Sequence, residues 1–180
     1  FLVHKNTDPD YELMPPKGRS GRREVARMSF SIDAVAEFED FVEDMYDFAD
    51  AQALSVDTLI HENGAAQLEI NFNHGDPLDM ADQVFVFKRT VRETAQRHNM
   101  YATFMAKPMQ KEPGSALHIH QSILSLETGR NIFNDVNDQP TPELMHYIAG
   151  LQRYTPDLIS FYAPNVNSYR RLAPDISAPI

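Results

Sequence analysis

The chain has 180 residues, with 16 Lys and Arg against 26 Asp and Glu, a formal net charge of −10. Its 42% hydrophobic and 23% charged content is ordinary globular usage, which excludes extended disorder, and no apolar run nears the roughly 18 residues that span a bilayer. The acidic balance argues against a nucleic-acid partner, and the absence of cysteine excludes a disulfide framework and Cys-ligated zinc and fits a reducing compartment. There is no signal-peptide pattern. The chain opens on Phe-Leu-Val, as in the middle of a strand, and not on Met. It is therefore expected to be a piece of a longer protein. Length alone accommodates one domain, and no internal repeat is visible.

Residues 6–22 form a loop in which Asp8-Pro9, Pro15-Pro16, Gly18 and Ser20-Gly21 are all turn formers. A loop of this length in a compact domain is usually functional or an assembly contact. Charge is segregated along the chain. Residues 17–27 hold Lys17, Arg19, Arg22, Arg23 and Arg27, whereas residues 28–87 hold 14 Asp and Glu and no Lys or Arg. The plain reading is an acidic helix face neutralised by a basic loop. The sharper one places some of those carboxylates around a cation. A first helix begins near Asp33 as N-cap, with Phe38, Phe41, Val42, Met45 and Ala49 at helical spacing. Two short strands follow, Val56 to His61 and Ala65 to Phe72. The second alternates Gln67, Glu69 and Asn71 with Leu68, Ile70 and Phe72.

A second helix runs from Pro77, a good first-turn residue, to His98, with Ala81, Val84, Phe85, Val91 and Ala95 as its buried stripe. Tyr101 to Ala106 and Ser115 to Leu124 are expected strands. Thr141 caps a third helix that opens on Pro142 and is expected to break or kink at Pro156. These elements predict an α+β fold with a largely antiparallel sheet flanked by helices.

On the expected strand from Ser115, His118, His120 and Ser122 share one face, and Leu117 and Ile119 point into a core. Two imidazoles and a hydroxyl on one face mean either solvent exposure or a metal or phosphate site. Glu69 sits in a polar row of the same kind, and Glu62 ends the preceding strand. If both strands belong to one sheet, their polar rows line one cavity. Glu and His ligands suit Mg²⁺ or Mn²⁺ when carboxylates dominate and Zn²⁺ when imidazoles do. Taken alone, either glutamate is a surface carboxylate. Lys107, followed by the turn Pro113-Gly114-Ser115-Ala116, offers a cation and backbone N–H groups to phosphates, although a plain loop explains it too. Arg170-Arg171 lies in the polar stretch Asn165 to Leu172. A guanidinium fork suits a carboxylate or phosphate, and a surface arginine is the simpler account.

Together these stretches resemble the glutamine synthetases. Lys107-Pro108-Met109, a spacer, Pro113-Gly114-Ser115-Ala116, His118 and Ser122 match the family's nucleotide-binding motif. His61-Glu62 followed by Gln67-Leu68-Glu69 resembles its metal-binding Glu…Gln-x-Glu element, and Asn167-Ser168-Tyr169-Arg170-Arg171-Leu172 resembles its Asn-Ser-Tyr-Lys-Arg-Leu loop. The resemblance covers essentially the whole chain. It implies that residues 1–180 are the central part of a glutamine synthetase-type catalytic domain, incomplete, with the N-terminal domain and the C-terminal remainder absent. It further implies metal-binding roles for Glu62, Glu69 and His118, and nucleotide or phosphate contacts for Lys107, His120 and Ser122. Gly114 and Arg171 would bind glutamate, with Arg171 also catalytic. ATP would be the cosubstrate with Mg²⁺ or Mn²⁺. Glutamate and an amine would be the substrates, joined through a γ-glutamyl phosphate. The full-length protein would be a cytoplasmic homo-oligomeric ring with no membrane or nucleic-acid partner, and the isolated piece inactive.

Two departures set the branch. Ser177 stands where the ammonia-using enzymes have a glutamate beside the ammonium site, although Asp175 could compensate, and Pro113 stands where they have an asparagine. The loop from Lys5 to Gly21 is similar to the γ-glutamylpolyamine, or γ-glutamylputrescine, synthetase branch. Putrescine or another amine is thus the expected acceptor. Glutamine synthetase proper and a non-catalytic family member with an assembly role are the alternatives. A Zn²⁺ hydrolase built on His118 and His120 lacks a third ligand or base nearby.

Overall fold

The computed structural model describes every residue except Thr7, Pro9, Ala26 and 173–180. Asp175 and Ser177, which bear on the acceptor, lie outside the described residues. The chain divides into two compact units, one of Phe1–Ser115 with Arg170–Ile180 and one of Ala116–Tyr169. In order, the elements are β1 (Leu2–His4), α1 (Ile32–Ala36), α2 (Glu39–Ala51), β2 (Val56–His61), β3 (Leu68–Phe72), α3 (Pro77–Arg97), β4 (Met100–Ala102), α4 (Pro142–Tyr162) and α5 (Val166–Arg171). The class is α+β as expected, with the antiparallel pairing split into two ladders, β1–β4 and β2–β3.

The core belongs to the first unit. Phe38, Phe41, Met45 and Ala49 from the α1–α2 region meet Phe87, Val91 and Ala95 of α3, and Leu59, Leu68, Ile70 and Phe72 close the cluster from the β2–β3 ladder. Phe72 and Phe87 meet edge to face, centroids 5.1 Å apart, a favoured aromatic geometry. Alternation puts Leu68, Ile70 and Phe72 on this core side, so Gln67, Glu69 and Asn71 take the other face.

Four expectations are corrected. The first helix starts one turn-half earlier and is split. Ser31 is the N-cap, its hydroxyl accepting from Ala34 N, and Asp33 falls in the first turn, where a carboxylate suits the helix dipole. The chain breaks between α1 and α2 where the basic loop docks, because Arg19 N–H takes the Glu37 carbonyl at 2.9 Å. The stripe of α3 keeps Val91 and Ala95 as expected but is rotated in its first half. Phe87 is 3% exposed and Phe85 78%, and Ala81 is exposed and Val84 half-buried, so the buried side is Phe87, Thr90, Val91, Thr94 and Ala95. Residues 115–124 make no strand. Leu117 is 71% and Ile119 62% exposed, and the segment's one pairing is an isolated bridge from Leu124 to Asn131. An alternating pattern forms a strand only when a neighbour takes up its N–H and C=O groups, and among the described residues β3 pairs with β2 alone. Lastly, the expected break at Pro156 is absent, and α4 continues to Tyr162. The proline leaves the Gln152 carbonyl without its helical donor, and Gln152 is exposed, so water can replace the lost bond.

Two helix starts match the sequence. Asp76 caps α3 by accepting from Leu78 N and Asp79 N, with Pro77 in the first turn, and Thr141 caps α4 ahead of Pro142. The expected strand at Tyr101 shrinks to Met100–Ala102, and residues 65–67 form the turn before β3. The basic loop neutralises the acidic helix start as the plain reading held. Arg19 pairs with Glu39, and the Ser20 hydroxyl and N–H hold the Glu37 carboxyl below the usual carboxylate range.

The rotated face of α3 is directly testable. Phe87→Ala is expected to destabilise the chain by about 3–5 kcal/mol, and Phe85→Ala to stay within about 0.5 kcal/mol of the parent, both by chemical denaturation.

Candidate active site

The site residues of the first unit gather around the turn between β2 and β3. The ladder pairs Ile60 with Glu69 and His61 with Leu68, and Glu62 N donates to Gln67 O at 2.8 Å, carrying the pairing one residue further. Directly paired residues share a face, so Glu62, Gln67 and Glu69 lie on the same side, opposite the core. Glu62 and Glu69 are diagonal neighbours there, with backbones about 7–8 Å apart, a spacing that two glutamate side chains can close. Asn71 follows on that face, its amide donating to Thr58 Oγ1 at 3.2 Å.

The turn is held by side chains. Four consecutive backbone N–H groups each donate to a side-chain oxygen. Asn63 N donates to Glu62 Oε2 at 2.9 Å, Gly64 N to Gln67 Oε1 at 2.8 Å, Ala65 N to Glu112 Oε2 at 3.0 Å, and Ala66 N to Glu24 Oε2 at 2.8 Å. Gln67 is buried, unlike the rest of its predicted polar row, and its amide donates to Gly114 O at 3.1 Å. This bond ties the turn to the loop after Lys107. Within that loop the Lys107 ammonium donates to the Glu112 carbonyl.

Gly114 lies against Arg171. A Cβ at Gly114 would collide with Arg171 Cγ and come within 2.8 Å of the Ala106 carbonyl oxygen, so this close approach requires glycine. The two residues assigned by resemblance to one substrate thus touch. In the second unit, His118, His120 and Ser122 lie on exposed coil, and Gln121 between them accepts from the Tyr147 hydroxyl on α4.

The donor chemistry of the Glu62–Glu69 face fits a hard divalent ion. Mg²⁺ is commonly held by one or two carboxylates, the remaining positions going to water and substrate phosphates. Among the described residues, no group of three or more His, Asp or Glu is close enough to hold a metal ion by itself. Sequence inspection missed Glu24 and Glu112. Each is a lone glutamate in a loop, and no local pattern marks either as reaching the turn.

The family model for the catalytic domain of glutamine synthetase matches residues 1–180. The chain belongs to the glutamine synthetase family. Among its relatives, γ-glutamylputrescine synthetase PuuA of Escherichia coli (strain K12) is 35% identical over 99% of this chain and 38% of its own length. A glutamine synthetase of Pyrococcus horikoshii is 32% identical over 99% of this chain and 40% of its own. Among solved structures, ligand-free GmaS superposes with a TM-score of 0.78 at 27% identity, over 96% of this chain and 39% of that one. The glutamine synthetase of Plasmodium falciparum gives 0.71 at 27% identity, over 76% of this chain and 26% of that one. The chain thus spans about two fifths of the curated relatives cited. These glutamine synthetase-family relatives are ligases, and no helix of the described residues is long and apolar enough to cross a membrane.

The Gly114 contact yields a stability test. Gly114→Ala is expected to cost about 1–3 kcal/mol through overpacking against Arg171 and Ala106. Gly150→Ala, in α4 where an added Cβ meets nothing within 4 Å, is expected to gain about 0.5–1 kcal/mol. Thermal melts of both variants check the contrast.

Proposed function

We propose that the intact protein joins the γ-carboxylate of glutamate to an amine, putrescine or a similar polyamine, at the expense of ATP. The observation that carries this reading is the contact of Gly114 with Arg171 beside a turn that presents Glu62 and Glu69 on one face. Glu62, Glu69 and His118 hold Mg²⁺ or Mn²⁺, which when bound neutralises charge on the phosphoryl group in flight. Lys107, His120 and Ser122 contact the nucleotide and its phosphates. Gly114 gives the glutamate room at the backbone. Arg171 holds its carboxylate or the transferred phosphoryl by two parallel charge-assisted bonds. The γ-carboxylate attacks the terminal phosphate of ATP, ADP leaves, and γ-glutamyl phosphate results. The amine nitrogen then attacks the acyl carbon, phosphate leaves and the nitrogen gives up a proton. The likeness to PuuA, the loop from Lys5 to Gly21 and Ser177 support an amine larger than ammonia, and the place of the reaction is then the cytoplasmic metabolism of polyamine nitrogen. The likeness to glutamine synthetases supports the second reading, ammonia as acceptor. The ring assembly and the inactivity of residues 1–180 alone belong to the same proposal, since the chain spans about two fifths of these relatives.

Two measurements on the intact protein test it. ATP- and glutamate-dependent phosphate release is expected with putrescine or a related amine, and turnover with ammonia far above that with every diamine would overturn the acceptor assignment. Arg171→Lys is expected to lower kcat by about 10²–10³ with an unchanged melting temperature, and Arg170→Lys to stay within about threefold of the parent. If both stay within threefold in kcat and in KM for glutamate, Arg171 has no role at the substrate.

A further inference from the structure

His61 is 0% exposed, and both of its ring nitrogens have partners. Nδ1 faces the Glu62 carbonyl oxygen at 2.7 Å, and Nε2 faces Glu24 Oε2 at 2.9 Å. A carbonyl only accepts, so Nδ1 carries a proton and donates. The same Glu24 oxygen accepts from Ala66 N at 2.8 Å. Glu24 therefore reaches both ends of the turn, holding Ala66 directly and the Glu62 backbone through the imidazole. The segment around Glu24 tightens this grip, since Phe30 N donates to His61 O at 2.8 Å and Ser29 bonds the Asn63 side chain.

Stability alone is a poor reason for a carboxylate at position 24. Its other oxygen, Oε1, is buried and has no partner among the described residues. An unsatisfied buried carboxylate oxygen is costly. What the carboxylate supplies is position, because one oxygen can accept two donors on opposite sides of the turn.

We propose that Glu24, acting through buried His61 and the Ala66 N–H, is a positioning residue that sets how tightly Glu62 and Glu69 hold a divalent cation. This inference rests on the assignment of Glu62 and Glu69 to the metal. Carboxylates that orient a ligand through an imidazole or a backbone group govern metal affinity in the same manner.

The test is titration of the intact protein with Mn²⁺ alone, without ATP or glutamate, followed by calorimetry and by the loss of the free Mn²⁺ spin-resonance signal. Glu24→Ala is expected to weaken Mn²⁺ binding by about 10–100-fold. Glu24→Gln is expected to fall between the parent and Glu24→Ala, because its carboxamide keeps one of the two bonds, either its oxygen to the Ala66 N–H or its NH2 to the His61 ring nitrogen. Glu69→Gln serves as the control on the metal assignment and is expected to lose the site. If Glu69→Gln loses Mn²⁺ and Glu24→Ala does not, the positioning role is wrong and the metal assignment stands. If Glu69→Gln binds as the parent does, the metal assignment falls and this inference with it. A loss in Glu24→Gln as large as in Glu24→Ala overturns the hydrogen-bond account. Should Glu24→Ala fail to fold, Glu24→Asp carries the test. Its shorter side chain cannot span both partners, and weakening by at least about fivefold is expected, with unchanged binding overturning the proposal.

Discussion

The first unit turns on one constraint, that the four N–H groups from Asn63 to Ala66 in the β2–β3 turn must each find an acceptor. A connection of residues 62–67 with Ala66 at a left-handed φ of 53° cannot supply four carbonyls pointing inward. The chain meets the demand with the oxygens of Glu62, Gln67, Glu112 and Glu24. Two of those four come from distant loops, so the turn becomes the knot that ties residues 24–31 and 107–114 to the ladder. A left-handed alanine costs about 1–2 kcal/mol, and the Leu2 N–H bond to the Ala66 carbonyl at 2.9 Å adds a further restraint from β1. Rigidity here bears on the proposed metal site, because two carboxylates held at a fixed separation bind an ion more tightly than two that the ion must first order.

The same network explains why the loop after Lys107 needs glycine. The Gln67 amide pulls the Gly114 carbonyl toward the turn, which leaves the other side of Gly114 against Arg171. A side chain at 114 would have to displace the arginine or the Ala106 backbone. One buried glutamine thus connects the carboxylate face to the arginine through a single shared residue.

Much of this was legible in the sequence where the signal is local. Pro77 and Thr141-Pro142 announce helix starts because capping and a fixed φ act within one turn, and the alternation from Gln67 to Phe72 announces a strand face. Where the signal depends on a partner, it failed. Ser115 to Leu124 alternates well enough, but alternation does not reveal whether a neighbouring strand exists. In Val84-Phe85-Val86-Phe87 every residue is apolar, so periodicity cannot choose the buried face, and the packing of Phe87 on Phe72 decides it. His61 was visible only as part of a motif. Its buried role depends on Glu24, which lies 37 positions away in a loop with no periodicity. Gln67 was placed on a polar face, yet it is buried because Gly64 and Gly114 present a donor and an acceptor at the spacing of one carboxamide.

On the proposed reading, the β2–β3 turn presents Glu62 and Glu69 jointly to one divalent ion. Anomalous diffraction from crystals of the intact protein grown with Mn²⁺ is the decisive measurement. A Mn²⁺ peak with an oxygen of Glu62 and an oxygen of Glu69 both in its coordination sphere is expected. Mn²⁺ bound elsewhere, with both carboxylates turned away from it, would rule the shared site out.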